Sequence, residues 1–500
     1  MMGPSFLKKG VGFRVWAPNA TAVSVIGEFN NWESDKAPMT SEGNGNWYIE
    51  IPEAKQGQGY KYKLQTPQGE LFRVDPYVRE VDGATGNGII HDPEFDWEDD
   101  DFTPPPFHQL AIYELHIGTF FKTGKKNDLP SNFDTGIKKL SYLRSLGFNA
   151  VEIMPIAEFS GDFSWGYNPA HIFAVESAYG GPKAFKSFVN EAHKKNIAVI
   201  LDVVYNHFGP DGMDLWQFDG WQEDNQGGIY FYNDDRSETP WGHTRPDYGR
   251  PEVRSFILDN VAMWLDEYHV DGLRLDGAVY IRRVDGPGTH DLPDGWTLLQ
   301  AINEKVQAEH PGKITIAEDL QDSEWLTKST EENGAGFHAQ WDAAFVHPIR
   351  AAVTEIADES RSMQAVAEAI SNNFNGDAFQ RVIYSESHDE VANGRTRVPA
   401  EVQPDDPDGW FAQKRSTLAA AMVFTSPGIP MIFQGQEFLE QDWFQDTAPL
   451  DWDQKKEFAG ITRLYHDLID LRLNQQEFSA GLSGHNLRIT QCNEDTNVIV

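Results

Sequence analysis

Cysteine is what this 500-residue chain has least of. Cys492 stands alone, so no disulfide can form within the chain, and cysteine-based metal sites are excluded. Basic residues are also scarce. Lys and Arg number 41 against 77 Asp and Glu, a formal net charge of −36. A surface of that sign repels phosphate backbones and anionic lipid, so neither nucleic acid nor a membrane is an expected partner. A neutral polymer meets no such repulsion. No run of about 18 apolar residues occurs, so no transmembrane span is expected. The opening MMGPSFLKKGVGF lacks the apolar stretch of a signal peptide, and the cytoplasm is the compartment these absences lead us to expect.

Aromatic rings, by contrast, are abundant, with 15 Trp, 16 Tyr and 31 Phe. They suit large cores and equally suit stacking on the C–H face of a pyranose. The length calls for two or three domains. Residues 1–100 carry short alternating runs (FRVWAP, AVSVIGEF, WYIEIP, YKYKLQ) between clusters of turn residues, which predicts an immunoglobulin-like β-sandwich. The acidic, Pro-rich stretch 92–107 reads as a linker.

Over 108–475 the texture changes to apolar strands alternating with amphipathic helices. Eight strand candidates follow one another: LAIYELHI, NAVEIMPI, IAVILDVV, VDGLRLD, KITIAED, GFHAQWD, QRVIYSESHD and PMIFQGQE. That rhythm predicts an α/β fold in which a (β/α)8 TIM barrel closes on itself. Residues 207–250 form a long excursion after the third strand, and loops of that length are usually functional. Residues 476–500 turn polar and β-like (HNLRITQ, TNVIV) and read as the start of a truncated C-terminal β-domain.

Acids fall at the C-terminal ends of four strands: Asp202, Asp276, Glu318 and Asp389. One acid after a strand is more simply a helix N-cap. Four in register are hard to explain that way, because crowded carboxyls raise one another's pKa and need a compensating charge. Arg274 lies two residues before Asp276, on the same face of a strand. In a barrel all these ends share one rim. Two carboxyls and a cation there suit cleavage of a glycosidic bond, one carboxylate attacking the anomeric carbon and the other group trading a proton.

At this point the motifs resemble a known family. DVVYNHF (202–208), GLRLD (272–276), IAED (316–319) and SHDE (387–390), with SWGY (164–167) before them, are similar in content and order to the short signature regions of the α-amylase superfamily of glycoside hydrolases. The resemblance implies a retaining α-glucan enzyme without metal or cofactor. It implies Asp276 as nucleophile, Glu318 as general acid/base and Asp389 as the acid that binds sugar hydroxyls. Tyr167, His207, Arg274 and His388 would be substrate-binding, and Asp202 would join them through a structural pairing with Asn206. Gly277 stands where the family usually has Ala, an expected loosening of local packing. A calcium-dependent secreted amylase is disfavoured, since Asn206 offers one ligand to a site that takes about six to eight oxygens.

FRVWAP and GEFNNW resemble a glycogen-binding-like module, in which Trp32 and Trp47 are candidates for glucan stacking or for core. SHDEV, TIAED and PLDW resemble 1,4-α-glucan branching enzymes. SAYGGP and DVVYNHFGPDG resemble maltooligosyltrehalose trehalohydrolases, which usually carry Gln where this chain has Glu390. The expected activity is therefore transfer of an α-1,4-glucan chain (glycogen, amylose or maltooligosaccharide) to a glucan 6-hydroxyl. The alternatives are trehalohydrolase or another amylase-type hydrolase, and an inactive glucan-binding scaffold. Trp216, Trp221 and Trp241 are expected to shape the acceptor side. The Asp276 and Glu318 carboxyls are expected about 5–5.5 Å apart, the retaining separation.

Overall fold

The computed structural model describes residues 2–99, 101–122, 130–209, 213–475, 477, 481–484 and 486–500. Eight parallel strands close into a barrel in sequence order: β1 Ile112–Leu115, β2 Ala150–Ile153, β3 Ala198–Val203, β4 Gly272–Leu275, β5 Ile314–Ala317, β6 Ala339–Trp341, β7 Arg381–Ile383 and β8 Ile429–Phe433, the last pairing with the first. Seven lie inside the runs singled out above, and β8 begins one residue before PMIFQGQE. Every residue of these strands is buried, because helices cover the outside and side chains fill the inside.

The filling changes along the barrel axis. Ile112, Ala150, Ala198, Ile314 and Ile429 make an apolar floor. Further along the barrel the inward positions become charged, two residues on from the floor in β1 and β2 and beyond Ile200 in β3. Glu114 on β1 lies opposite Glu152 on β2, and Asp202 on β3 lies opposite Arg274 on β4. The period of two that builds a strand thus carries one face from packing into chemistry within one or two repeats.

The helices follow from local signals. Helix α1, Phe133–Leu146, starts on Asn132, whose side chain accepts from Thr135 N, and ends on Gly147 at φ 101°. Its Phe133, Leu140, Leu143 and Leu146 are buried against the barrel. Helix α2, Gly181–His193, follows β2. Helix α3, Pro251–Ala262, opens with Pro at its first position and runs into a π-turn, Met263–Glu267. After β4 come α4, Ala278–Arg282, and α5, Pro293–Glu309. Helix α6, Met363–Ser371, precedes β7, and α7, Trp410–Thr425, follows it.

Residues 3–89 form two facing sheets. One orders Gly3–Phe6, Val11–Trp16, Asn46–Ile51 and Thr40–Gly43; the other orders Ala22–Gly27, Gly59–Thr66, Gly88–Ile89 and Glu80–Val81, with Gly69–Arg73 paired to Gly59–Thr66. Phe13 of the first sheet meets Tyr60 of the second, ring centroids 5.1 Å apart. Trp47 is half-buried and donates to Ala17 O at 3.1 Å, whereas Trp32 is exposed. This sandwich is clasped to the barrel. Arg73 donates to Phe218 O (2.8 Å) and Gln217 O (3.0 Å), and Asp214 accepts from Val74 N at 2.6 Å. Arg79 pairs with Glu267 at 3.0 Å.

Among its described residues the stretch after the sandwich carries no regular element before the 3-10 turn Phe107–Gln109, but it is fastened down. Asp99 pairs with His193 and His269, and Trp97 stacks on His269 at 3.8 Å. One further feature was not foreseen. A hairpin of Ala157–Phe159 and Pro169–Val175 follows β2. Near the end of the chain Val498–Ile499, inside TNVIV, pairs with Cys492–Asn493, which directly follows HNLRITQ, a run of which residue 485 lies outside the described set. Among the described residues no helix is long and apolar enough to cross a membrane.

Candidate active site

The ends of β4 and β5 bring Arg274, Asp276 and Glu318 together. Arg274 Nη1 donates to Asp202 Oδ2 at 2.6 Å and to Asp276 Oδ1 at 3.1 Å, while its Nη2 stands 3.7 Å from Glu318 Oε2. One guanidinium therefore spans three acids, and lies 4.3 Å over the ring of Trp341 on β6. Asp276 Oδ2 accepts a second hydrogen bond from Asn206 Nδ2 at 2.6 Å. Glu318 Oε2 accepts from the backbone N–H of Gly277 at 2.6 Å.

Gly277 corrects the expectation of looser packing. Its φ is +50°, and a Cβ there would sit 2.2 Å from Asn206 Nδ2. The left-handed backbone and the close approach of Asn206 both call for glycine, so the site is tighter here, not looser. Gly166 in SWGY has a similar reason: at φ +94° a Cβ would meet Pro155 O at 2.1 Å. That turn presents Trp165 and Tyr167 to the pocket.

Tyr167 donates to Asp202 Oδ2 at 2.5 Å and stacks on His388 with centroids 4.9 Å apart. His388 is held in turn by Glu114, which pairs with its Nδ1 at 2.5 Å and accepts from its backbone N–H at 3.1 Å. Burial disfavours a charged His388, but Glu114 outweighs it and raises the pKa. Burial also lifts Glu318 to about 7; Arg274 opposes that rise, and Asp276 and Asp389 add to it. Asp202 rises to about 6, chiefly by burial and against Arg274. The arrangement thus sets a carboxyl able to hold a proton near neutral pH beside one gripped by two donors. That is the pairing acid/base-assisted nucleophilic chemistry uses.

The cavity at this rim holds about 380 Å³, within the ~300–1,000 Å³ of small-ligand sites. Asp276, Glu318, Arg274, Tyr167, His388 and Asp389 all line it, Asp389 from its exposed side. Asp202 and His207 do not. Asp202 lies beneath Tyr167 and Arg274, and His207 is buried behind Trp241, whose ring stacks on it at 4.6 Å. Asn206 is engaged at both ends, its carbonyl by His207 and its amide by Asp276.

Of the three tryptophans of the 207–250 excursion, only Trp241 reaches the pocket. Trp216 packs on Phe231 at 5.7 Å and Trp221 lies under Arg250 at 5.6 Å. That half of the excursion is drawn toward the sandwich, where Asp219 accepts from Asn19 N at 2.8 Å. Residues 210–212 of it lie outside the described set.

The pocket holds further residues to which the motifs assign no role. Trp165 meets His388 edge-on at 5.8 Å, and Tyr280 meets Trp241 edge-on at 5.1 Å. Glu114 and Glu152 sit beneath. The signal for both was a carboxyl inside an otherwise apolar strand. Glu152 is fully buried, neither of its oxygens has a hydrogen-bond partner, and burial, with Glu114 adding to it, pushes its pKa far up.

Residues 121–238 and 212–465 match the family model "Alpha amylase, catalytic domain", and residues 1–78 match "Carbohydrate-binding module 48 (Isoamylase N-terminal domain)". The 1,4-alpha-glucan branching enzyme GlgB of Oceanobacillus iheyensis is 33% identical over 93% of this chain and 74% of its own length. That of Corynebacterium jeikeium is 31% identical over 96% and 70%. Among solved structures, pullulanase from Anoxybacillus sp. LM18-11, complexed with maltotetraose, superposes with a TM-score of 0.77 at 22% identity, covering 99% of this chain and 78% of that one. Pullulanase type I from Bacillus subtilis gives 0.80 at 22%, covering 99% and 75%.

Proposed function

This chain belongs to the α-amylase family, and on that premise we propose that it is a 1,4-α-glucan branching enzyme working by retaining double displacement. The observation that carries the chemistry is the Arg274 guanidinium spanning Asp276 and Glu318 at one pocket mouth. Asp276, hydrogen-bonded by Arg274 and Asn206, attacks the anomeric carbon. As the glycosidic C–O bond breaks, Glu318 gives its proton to the leaving oxygen, and a glucosyl ester on Asp276 results. Glu318, now a carboxylate, takes the proton of a glucan 6-hydroxyl. That oxygen attacks the same carbon, the ester breaks, and configuration is kept.

The remaining side chains position the sugar. Tyr167 and His388 form a stacked platform, with Glu114 holding the imidazole. Asp389 reaches sugar hydroxyls from the open side. Asp202 fixes Arg274 and Tyr167 from below. His207 donates to the sugar once Trp241 moves aside. The substrate is a neutral α-1,4-glucan, with which the family of the 1–78 module and the net charge of −36 agree.

Transfer is favoured over hydrolysis by the two relatives named as branching enzymes along nearly the whole chain. Glu390 supports it too. It pairs with Arg395 at 2.8 Å, an ion pair that the Gln of trehalohydrolases would not form. Incubation with amylose followed by proton NMR tests the reading. New α-1,6 linkages are expected; trehalose or maltose released without them would place the enzyme among the hydrolases.

A further inference from the structure

Six large aromatic rings of the barrel stand open to solvent among the described residues: Phe163, Trp241, Trp325, Trp410, Phe411 and Trp443. Each follows the C-terminal end of a strand, after β2, β3, β5, β7, β7 and β8 respectively. They therefore share the face that carries Asp276 and Glu318. Exposed aromatic surface gathered on one face marks a place where something else lies down.

Trp325 also lines a cavity of about 420 Å³. Trp296, on the first turn of α5, forms a second aromatic wall. The rim is polar: Arg283 and Asp291 make an ion pair at 3.3 Å, and Thr297 and Ser323 supply hydroxyls. This cavity shares no lining residue with the catalytic pocket, yet the two adjoin. Helix α4 gives Val279 and Tyr280 to the pocket and Arg282 to the cavity. The loop leaving β5 gives Glu318 to one and Ser323 to the other.

Two indoles inside a ring of hydroxyl, guanidinium and carboxyl groups match an uncharged pyranose, apolar on its faces and hydroxylated round its edge. The net charge of −36 disfavours an anionic occupant. We propose that this cavity is a second α-glucan site, holding a stretch of polymer that does not react while another is cleaved next door. The proposal rests on the glucan reading of the catalytic pocket. Its effect would be to raise the local concentration of chain ends at the pocket without touching the reacting bond.

The full-length Trp325→Ala variant, assayed on amylose, tests this. Trp325 is 46% exposed, so its removal leaves the core intact. KM for amylose should rise about three- to tenfold, the scale of one lost aromatic stacking contact, with kcat unchanged. Trp325→Phe should recover most of the loss, and Asp291→Ala, on the exposed rim, should move KM in the same direction. An unchanged KM in both Trp325→Ala and Asp291→Ala overturns the proposal. So does a fall in kcat at constant KM, which would put the ring in the catalytic step. If wild-type protein neither binds nor converts amylose, the glucan reading fails and the cavity proposal with it. If the wild type converts amylose and both variants match it, only the cavity proposal fails.

Discussion

A guanidinium bonded to Asp202 and Asp276, close to Glu318 and flat on Trp341, has little room to act through any one of them alone. Its neighbours can be separated by substitution. Asp276→Ala and Glu318→Gln should each lower kcat on amylose by at least about a thousandfold, since acid/base and nucleophilic roles are not replaced by water. Circular dichroism and thermal melting should stay close to wild type, because both groups lie at strand ends and not in the core. Near-normal turnover in either would remove the mechanism. Glu318, lifted to about 7, must carry its proton for the first step. The acid form is present below that value and is lost above it, so kcat should decline as pH rises past about 7. A kcat flat from pH 6 to 9 would deny Glu318 the role of acid.

Gly277 gives a third test on this scale. Ala at φ +50° strains the backbone by about 1–2 kcal/mol, and its methyl would push Asn206 off Asp276. Gly277→Ala should therefore melt earlier and turn over more slowly; a variant equal to wild type in urea denaturation would show that the loop relaxes freely. Reading the sequence alone, we took this glycine for slack. Its constraint comes from Asn206, 71 positions away, and no local pattern reports such a neighbour.

At the scale of elements, the eight strands were legible because each is a short buried run with turn residues on both sides. The candidate site was legible because its acids fell into recognisable motifs, although only Asp202, Asp276 and Glu318 stand at strand ends and Asp389 lies in the loop beyond β7, which stops at Ile383. Glu114 and Glu152 were not, since an inward carboxyl has meaning only once the opposite strand is known. The hairpin after β2 was hidden by the brevity of Ala157–Phe159, three residues that carry no period. HNLRITQ meets a partner at its end, where Thr490 and Gln491 bond to the backbone of Val500; alternation reports a face and does not say where pairing begins.

Among the described residues of the excursion after β3, only Trp241 lines the pocket. Trp241→Ala should uncover His207 and admit water, raising released reducing sugar relative to new α-1,6 linkages. An unchanged ratio, read by NMR beside a reducing-end assay, would remove Trp241 from control of the acceptor.

On the scale of the whole molecule, buried acids set a pH response. Burial lifts Glu158 to about 8, and Glu176 and Glu437 to about 7, from an ordinary 4.5. Each holds its proton more tightly folded than unfolded. The stability this contributes is full below the unfolded value and is lost as pH climbs through the folded one. Asp271, kept below its ordinary 3.8 by His193 and Lys313 against its burial, contributes stability that is full above that value and is lost only as pH falls beneath it. Mutual repulsion under a charge of −36 adds to the loss at high pH. The melting temperature should therefore be higher at pH 5.5 than at pH 8.5; the reverse order would mean these carboxyls ionise without penalty.

The clasp between sandwich and barrel also limits how the protein can be taken apart. The excursion that shelters His207 with Trp241 hands its other half, through Asp214, Phe218 and Asp219, to the sandwich, and Trp16 rests edge-on against Tyr230 at 5.7 Å. Anyone trading this module for a foreign one would strip the lining from the catalytic loop, and a workable graft must carry residues 214–230 along with the guest.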